Sequence, residues 1–217
     1  MRGAFIVIEG LDRSGKSTQA ALLVDRLRKS GAPVKPMKFP DRTTAIGKMI
    51  DAYLRSEVEM DDHVIHLLYS ANRWELVSTI RKLLDEGTTI ICDRYAFSGI
   101  AFSASKERDG KSVLPFSWCR APEALLPSPD LTLFLDISPE KAKERGGFGE
   151  ERYETEDMQR RVRTMYARIA DEMKDTDNSW ITIDAGRSLE AVAEDVWKTV
   201  SPFAKGVDAP IRQLWTP

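Results

Sequence analysis

The segment Gly10-Leu11-Asp12-Arg13-Ser14-Gly15-Lys16-Ser17 has the G-x-x-x-x-G-K-S spacing of a loop that wraps phosphate. Its glycines let the backbone turn until successive N–H groups point inward, and a helix starting near Gly15 adds its positive end. Lys16 supplies a point charge for β- and γ-phosphates, and the Ser17 hydroxyl a ligand for Mg²⁺. Arg13 is a second cation in the same loop, where it can act as an arginine finger on a transferring phosphoryl group. Asp12 is out of character in a loop built for anions. A substrate hydroxyl is one partner for it; Arg13 or solvent are the others.

Further candidates follow at other segment ends. Asp93-Arg94-Tyr95 comes directly after the apolar run Ile90-Ile91-Cys92. A carboxylate there acts on Mg²⁺ directly or through water, or else caps the next helix. Arg42 follows Phe39-Pro40-Asp41 in the same way. Tyr69 and Arg73 are four apart, so they share a helix face. A ring can stack on a base while a guanidinium forks two phosphate oxygens; the plainer reading is a core-edge aromatic beside a solvated arginine.

The elements that must position these residues alternate. Ala4-Phe5-Ile6-Val7-Ile8 is a five-residue apolar run, the length of a buried parallel strand and too short for a signal peptide. Gly15 to Lys29 carries apolar residues at helical spacing and stops at Gly31. Strands are predicted at Val34 to Phe39, Thr88 to Cys92, Leu131 to Leu135 and Trp180 to Ile183, with helices over 43–56, 61–86 and from about Ser188. The fold class is therefore α/β: a five-stranded parallel sheet with helices on both faces, in one domain spanning 1–217. Ligands of such sheets bind beyond the carboxyl ends of the strands, where the candidates above sit. Residues 105–129, with charges and four prolines, read as an exposed excursion; the glycine-rich stretch 145–153 reads as a lid.

Composition removes whole classes. The chain has 217 residues with 32 Lys plus Arg against 34 Asp plus Glu, a net charge of −2, which gives no support for a nucleic-acid partner. No apolar run nears the roughly 18–20 residues of a membrane helix. Cys92 and Cys119 lack metal-ligand spacing and cannot form a disulfide scaffold, so a reducing compartment is expected. His63 and His66, three apart with no third ligand evident, are expected to be structural.

The chain resembles the thymidylate kinase family of P-loop nucleoside monophosphate kinases. The resemblance rests on segments in order along the chain: Phe5 to Gln19, Phe39-Pro40-Asp41-Arg42, Ser70-Ala71-Asn72-Arg73-Trp74-Glu75, Asp93-Arg94-Tyr95-Ala96-Phe97-Ser98-Gly99, Pro129-Asp130-Leu131 and Arg145 to Glu154. The D-R-Y-x-x-S-G block is more specific than the phosphate loop, and the loop arginine with the F-G lid resembles the eukaryotic branch. The resemblance implies transfer of the γ-phosphoryl of ATP to dTMP with Mg²⁺, and a homodimer in the cytoplasm, with the nucleus as a second location. It implies that Gly10, Leu11, Asp12, Arg13, Ser14, Gly15, Lys16, Ser17, Thr18 and Arg145 bind ATP, with Arg13, Lys16, Asp93 and Arg94 catalytic. Ser17, Glu9 and Asp93 would lie near the metal. Asp12 would bind the sugar 3′-hydroxyl, and Arg42 and Arg94 the dTMP phosphate. Tyr69 would stack on thymine, and Arg73 would bond the base edge rather than phosphate. Phe39, Ser98, Gly99 and Phe102 would line the acceptor pocket; Tyr95 would crowd the 2′ position. Tyr153 and Gln159 would close over the nucleoside. Residues 105–117 are longer than the family usually has, and Tyr69 stands where Phe is usual. A kinase that also takes dUMP or dGMP is the alternative, with a deoxynucleoside kinase behind it.

Overall fold

A computed structural model describes residues 1–145, 152–174 and 179–216. The chain runs β1 (Phe5–Gly10), α1 (Lys16–Lys29), β2 (Val34–Lys38), α2 (Ala45–Leu54), α3 (Asp62–Trp74), α4 (Val77–Asp85), β3 (Thr89–Asp93) and α5 (Ala96–Ala104). It continues with a hairpin of β4 (Glu107–Arg108) and β5 (Lys111–Ser112), then α6 (Phe116–Arg120), β6 (Leu131–Asp136), α7 (Pro139–Lys143), α8 (Glu156–Met173), β7 (Ser179–Asp184) and α9 (Leu189–Val200).

The main sheet has the order β2-β3-β1-β6-β7, and each neighbouring pair is parallel. The α/β reading and its five strands are borne out. β1 and β3 are buried at every position, as strands covered on both faces must be. β2 is an edge strand and tolerates Pro36, which has no N–H to give a ladder. α1 packs with α9, and α5 with α8. From β1 the chain adds strands first on one side and then on the other, and this reversal opens a crevice at the carboxyl ends.

Two expectations need correction. The helix predicted over 61–86 is two helices. The Leu76 N–H bonds back to the Arg73 carbonyl three residues away, which tightens and ends α3. α4 then restarts at Val77, with Ile80 and Leu84 buried in the core. In the stretch 105–129 the continuously exposed run is confined to the hairpin, residues 107–112. Beyond it Leu114, Phe116, Cys119 and Leu126 join the main core. Its exposed charges cluster at the hairpin, and its two buried ones, Lys106 and Glu123, are paired. Of the lid predicted over 145–153, residues 146–151 lie outside the described residues.

Candidate active site

A cleft of about 790 Å³ opens over the carboxyl ends of the central strands. Its lining includes Asp12, Arg13, Ser14, Gly15, Lys16, Ser17 and Thr18 at one end, and Phe39, Arg42, Tyr69, Arg73 and Phe102 among the rest. Asp93, Arg94, Tyr95, Ser98, Gly99, Arg145 and Tyr153 also line it. Most residues predicted from the sequence therefore meet in one cavity. Glu9, Gly10, Leu11 and Gln159 are not among its lining residues.

The phosphate-loop end is made largely of backbone. Gly10 has φ 150°, and a Cβ there would stand 2.6 Å from the Leu135 carbonyl oxygen, so only glycine can turn the chain at this point. Arg13 is left-handed at φ 61°. No side chain caps the start of α1, so its first N–H groups can serve an anion. Lys16 is nearly buried, and its Nζ donates to the Leu11 carbonyl and to Ser14 Oγ. Burial lowers its pKa to about 7, helped by Arg94 and opposed by Asp12, Asp93 and Glu9. Arg13 Nε pairs with Glu154 Oε1 at 3.2 Å. Arg145 donates to the carbonyls of Arg13 and Ala185, which brings the first lid residue onto the loop.

Ser17 Oγ donates to Asp93 Oδ2 at 2.5 Å, and Lys38 Nζ stands 3.4 Å from the same oxygen. The other carboxylate oxygen, Asp93 Oδ1, is buried without a hydrogen-bond partner. Burial would raise this carboxyl, but Lys16, Arg94 and Lys38 outweigh it and hold it below the usual range. A hydroxyl, an ionised carboxylate and an orphaned oxygen at the head of the loop fit Mg²⁺, which takes few protein ligands beside phosphate oxygens and water. Among the described residues no cluster of three or more His, Cys, Asp or Glu could hold a metal by itself.

Glu9 has other work. It is fully buried, and its Oε1 accepts from the N–H groups of Tyr95 and Ser98. Its Oε2 accepts from the hydroxyls of Ser98 and Tyr166. Burial pushes its pKa up against these bonds. The expectation of a metal neighbour thus meets a carboxylate whose oxygens are taken by protein donors that shape the turn after β3. Gln159, expected to close over the nucleoside, is bonded to Asp12. It lies fully buried, with Oε1 accepting from the Asp12 N–H at 3.0 Å and Nε2 donating to Asp12 Oδ2 at 2.8 Å.

The other end of the cleft is made of side chains. Arg94 is left-handed at φ 69°, a cost tolerated mainly at functional sites. Its guanidinium pairs with Asp12 and donates to the Gly10 carbonyl and to Ser98 Oγ, both at 3.1 Å. Arg42 pairs with Asp51 at 2.7 Å. Its turn is held by Asn72, whose Oδ1 accepts from the Asp41 N–H and whose Nδ2 donates to the helix-capping Thr44 Oγ1. Arg73 is buried and makes a two-point pair with Glu123. It lies against α5 so closely that a Cβ at Gly99 would be 2.5 Å from Arg73 Nη2. Phe39 and Tyr95 pack ring to ring, and Phe102 carries the Arg94 guanidinium 5.2 Å above its centroid. The Tyr95 hydroxyl is buried without a partner.

Sequence reasoning missed Glu123, Tyr166, Asp51 and Lys38. Tyr166 had a signal: it falls on the buried stripe Met158, Val162, Tyr166, Ile169 and Met173 of α8, where a hydroxyl must find a partner. His66 is buried and bonded to Ser103 Oγ and the Cys119 carbonyl, as a structural histidine.

A phosphate loop followed by its helix, a carboxylate ending the neighbouring strand, and arginines facing both across one cleft define a P-loop nucleoside monophosphate kinase. The thymidylate kinase family model matches residues 8–196. A thymidylate kinase of Schizosaccharomyces pombe is 51% identical over 92% of each chain. One from Homo sapiens is 44% identical over 99% of this chain and 98% of its own. A solved thymidylate kinase from Candida albicans superposes with a TM-score of 0.86 at 38% identity, covering 98% of both chains. The chain belongs to the thymidylate kinase family and is an ATP-dependent phosphotransferase.

Proposed function

We propose that the cleft transfers the γ-phosphoryl of ATP to the phosphate of dTMP, giving ADP and dTDP, with donor and acceptor in opposite ends of one cavity. One observation carries this reading: Asp12 sits inside the phosphate loop yet pairs with Arg94 at the end of the neighbouring strand β3. The donor loop and one acceptor arginine, Arg94, are therefore directly bonded. The acceptor oxygen is already anionic, so no strong base is needed, and catalysis is positioning with charge neutralisation. Lys16, the loop N–H groups and Arg145 take the ATP phosphates, and Arg13 acts on the γ-phosphoryl as an arginine finger. Arg42 and Arg94 take the dTMP phosphate, exchanging carboxylate partners for phosphate oxygens. Asp12 then accepts from the sugar 3′-hydroxyl, Tyr69 stacks on thymine, and Arg73 bonds the base edge. Ser17 and Asp93 would hold Mg²⁺, which would supply further neutralisation of the phosphate charge.

Turnover of a panel of acceptors at fixed ATP and Mg²⁺ tests the reading. dTMP should exceed dUMP, dGMP and thymidine in kcat/KM; equal rates across the panel would overturn the acceptor assignment. The proposal extends to a homodimer. Met49 of α2 and Val64, Leu67 and Trp74 of α3 are exposed large apolar side chains on adjoining helices, and sedimentation at micromolar concentration should return twice the chain mass. Cytoplasmic residence is also proposed, supported by two buried cysteine thiols, both free. No described helix is long and apolar enough to cross a membrane.

A further inference from the structure

Just behind the acceptor end lies a buried cation that the reaction as described does not use. Lys106 follows α5 and opens the β4–β5 hairpin, and its side chain is only 9% exposed. A buried ammonium is costly unless it is paired and bonded. Its Nζ donates to Asp62 Oδ1 at 2.8 Å and to the Tyr53 hydroxyl at 3.2 Å. It also stands 5.3 Å from the ring centroids of both Tyr53 and Tyr153, within cation–π range. Arg108 reaches the second Asp62 oxygen at 3.4 Å.

These contacts converge on a wall of the cleft. The Tyr153 ring leans on Phe102 at 5.7 Å and on Tyr53 at 6.3 Å, and its hydroxyl donates to the Tyr53 hydroxyl at 3.4 Å. Tyr53 in turn is held by Arg152, which packs over its ring at 4.1 Å and donates to its carbonyl. Arg152 also pairs with Glu59. Tyr153 and Phe102 line the cleft, while Lys106 and Tyr53 do not. The ammonium is thus the point where α2, the start of α3, the hairpin and the segment after the lid are tied together.

We infer that Lys106 is a positioning residue for acceptor binding: through Tyr53 and Asp62 it holds Tyr153 against Phe102 as the wall of the dTMP pocket. The inference rests on the acceptor assignment above. Lys106→Met keeps the length of the stem and removes the charge, so Tyr153 loses its anchor while the phosphate loop is untouched. The expected result is a dTMP KM raised about tenfold, the scale of a lost charge-assisted hydrogen bond, with the ATP KM within twofold of the parent. Lys106→Arg should recover most of the loss. Asp62→Asn, which strips the counter-charge but leaves the lysine stem packed, should move the dTMP KM the same way. Tyr53→Phe combined with Lys106→Met should be less than additive, because both act through one hydroxyl contact. Arg108→Ala should change neither constant. An unchanged dTMP KM in a folded Lys106→Met or Asp62→Asn protein overturns the inference, as does an equal rise in both KM values. Arg42→Ala separates the two levels: a rise in dTMP KM alone leaves the acceptor assignment standing whatever Lys106 does. A rise in ATP KM alone removes that assignment and this inference with it.

Discussion

The two ends of the cleft handle positive charge in different ways. At the phosphate loop, Lys16 and Arg145 donate to neutral oxygens, mostly backbone carbonyls, while Arg13 pairs with Glu154. At the acceptor end each arginine already has a carboxylate: Arg42 has Asp51, Arg73 has Glu123 and Arg94 has Asp12. The first arrangement suits a polyanion brought in with its own counter-ion and met by backbone N–H groups. The second holds side chains from distant elements in fixed directions, so a smaller acceptor meets an already oriented pocket. On the proposed assignment of Arg42 and Arg94, orientation is obtained by exchange: a substrate phosphate must outcompete Asp51 and Asp12, which weakens binding of an acceptor with no phosphate to offer in return.

The contrast can be broken at either end. The largest effect should come from the loop: Arg13→Ala lowers kcat by roughly 10³-fold or more, the scale of arginine fingers elsewhere. Near-normal turnover would show that Arg13 only tethers Glu154. The next should come from the acceptor framework. Glu123→Ala strands the buried Arg73 guanidinium and should destabilise the fold by about 3–5 kcal/mol, read by urea unfolding. A loss under about 1 kcal/mol would mean the pair behaves as a surface one. Asp12→Asn should raise the dTMP KM by about tenfold, since it weakens a charged hydrogen bond, with little change for ATP; matched losses would show that Asp12 serves the loop alone.

The smallest effect is a proton. Lys16 drops from its ordinary 10.5 to about 7 in the folded protein. Between those values the unfolded chain binds more protons, so this group's contribution to stability rises with pH across about 7 to 10.5. Bound phosphate reverses the drop, because it favours the charged form. ATP binding at pH 8 should therefore take up as much as about one proton, seen by calorimetry in buffers of different ionisation enthalpy. A binding enthalpy independent of buffer would show that Lys16 is already charged, and the two ends would then differ less than argued above.

Legibility followed the same divide. The loop was readable because glycine turns, a lysine and a helix start are contiguous, and local backbone geometry is what a short motif encodes. Arg42, Arg94 and Asp93 are readable as positions at strand ends, and Arg73 by its four-residue spacing from Tyr69 on one helix face. Their partners are not: Glu123 is 50 residues from Arg73, and Tyr166 is 157 from Glu9. Lys106 was read as part of an exposed excursion because lysine beside charged neighbours signals solvent, whereas Asp62 and two tyrosine rings cover it.

By itself the sequence determined the five strands, the phosphate loop and the class of chemistry, since each depends on residues within one turn or one strand of each other. The tertiary structure decided the rest. The order β2-β3-β1-β6-β7 brings the ends of β1 and β3 side by side and so joins Asp12 to Arg94. Other parallel orders of the same strands would satisfy the same hydrophobic pattern. Which charges become partners, and which carboxylate lies buried behind the site rather than in it, is set by that neighbourhood and cannot be read from spacing along the chain.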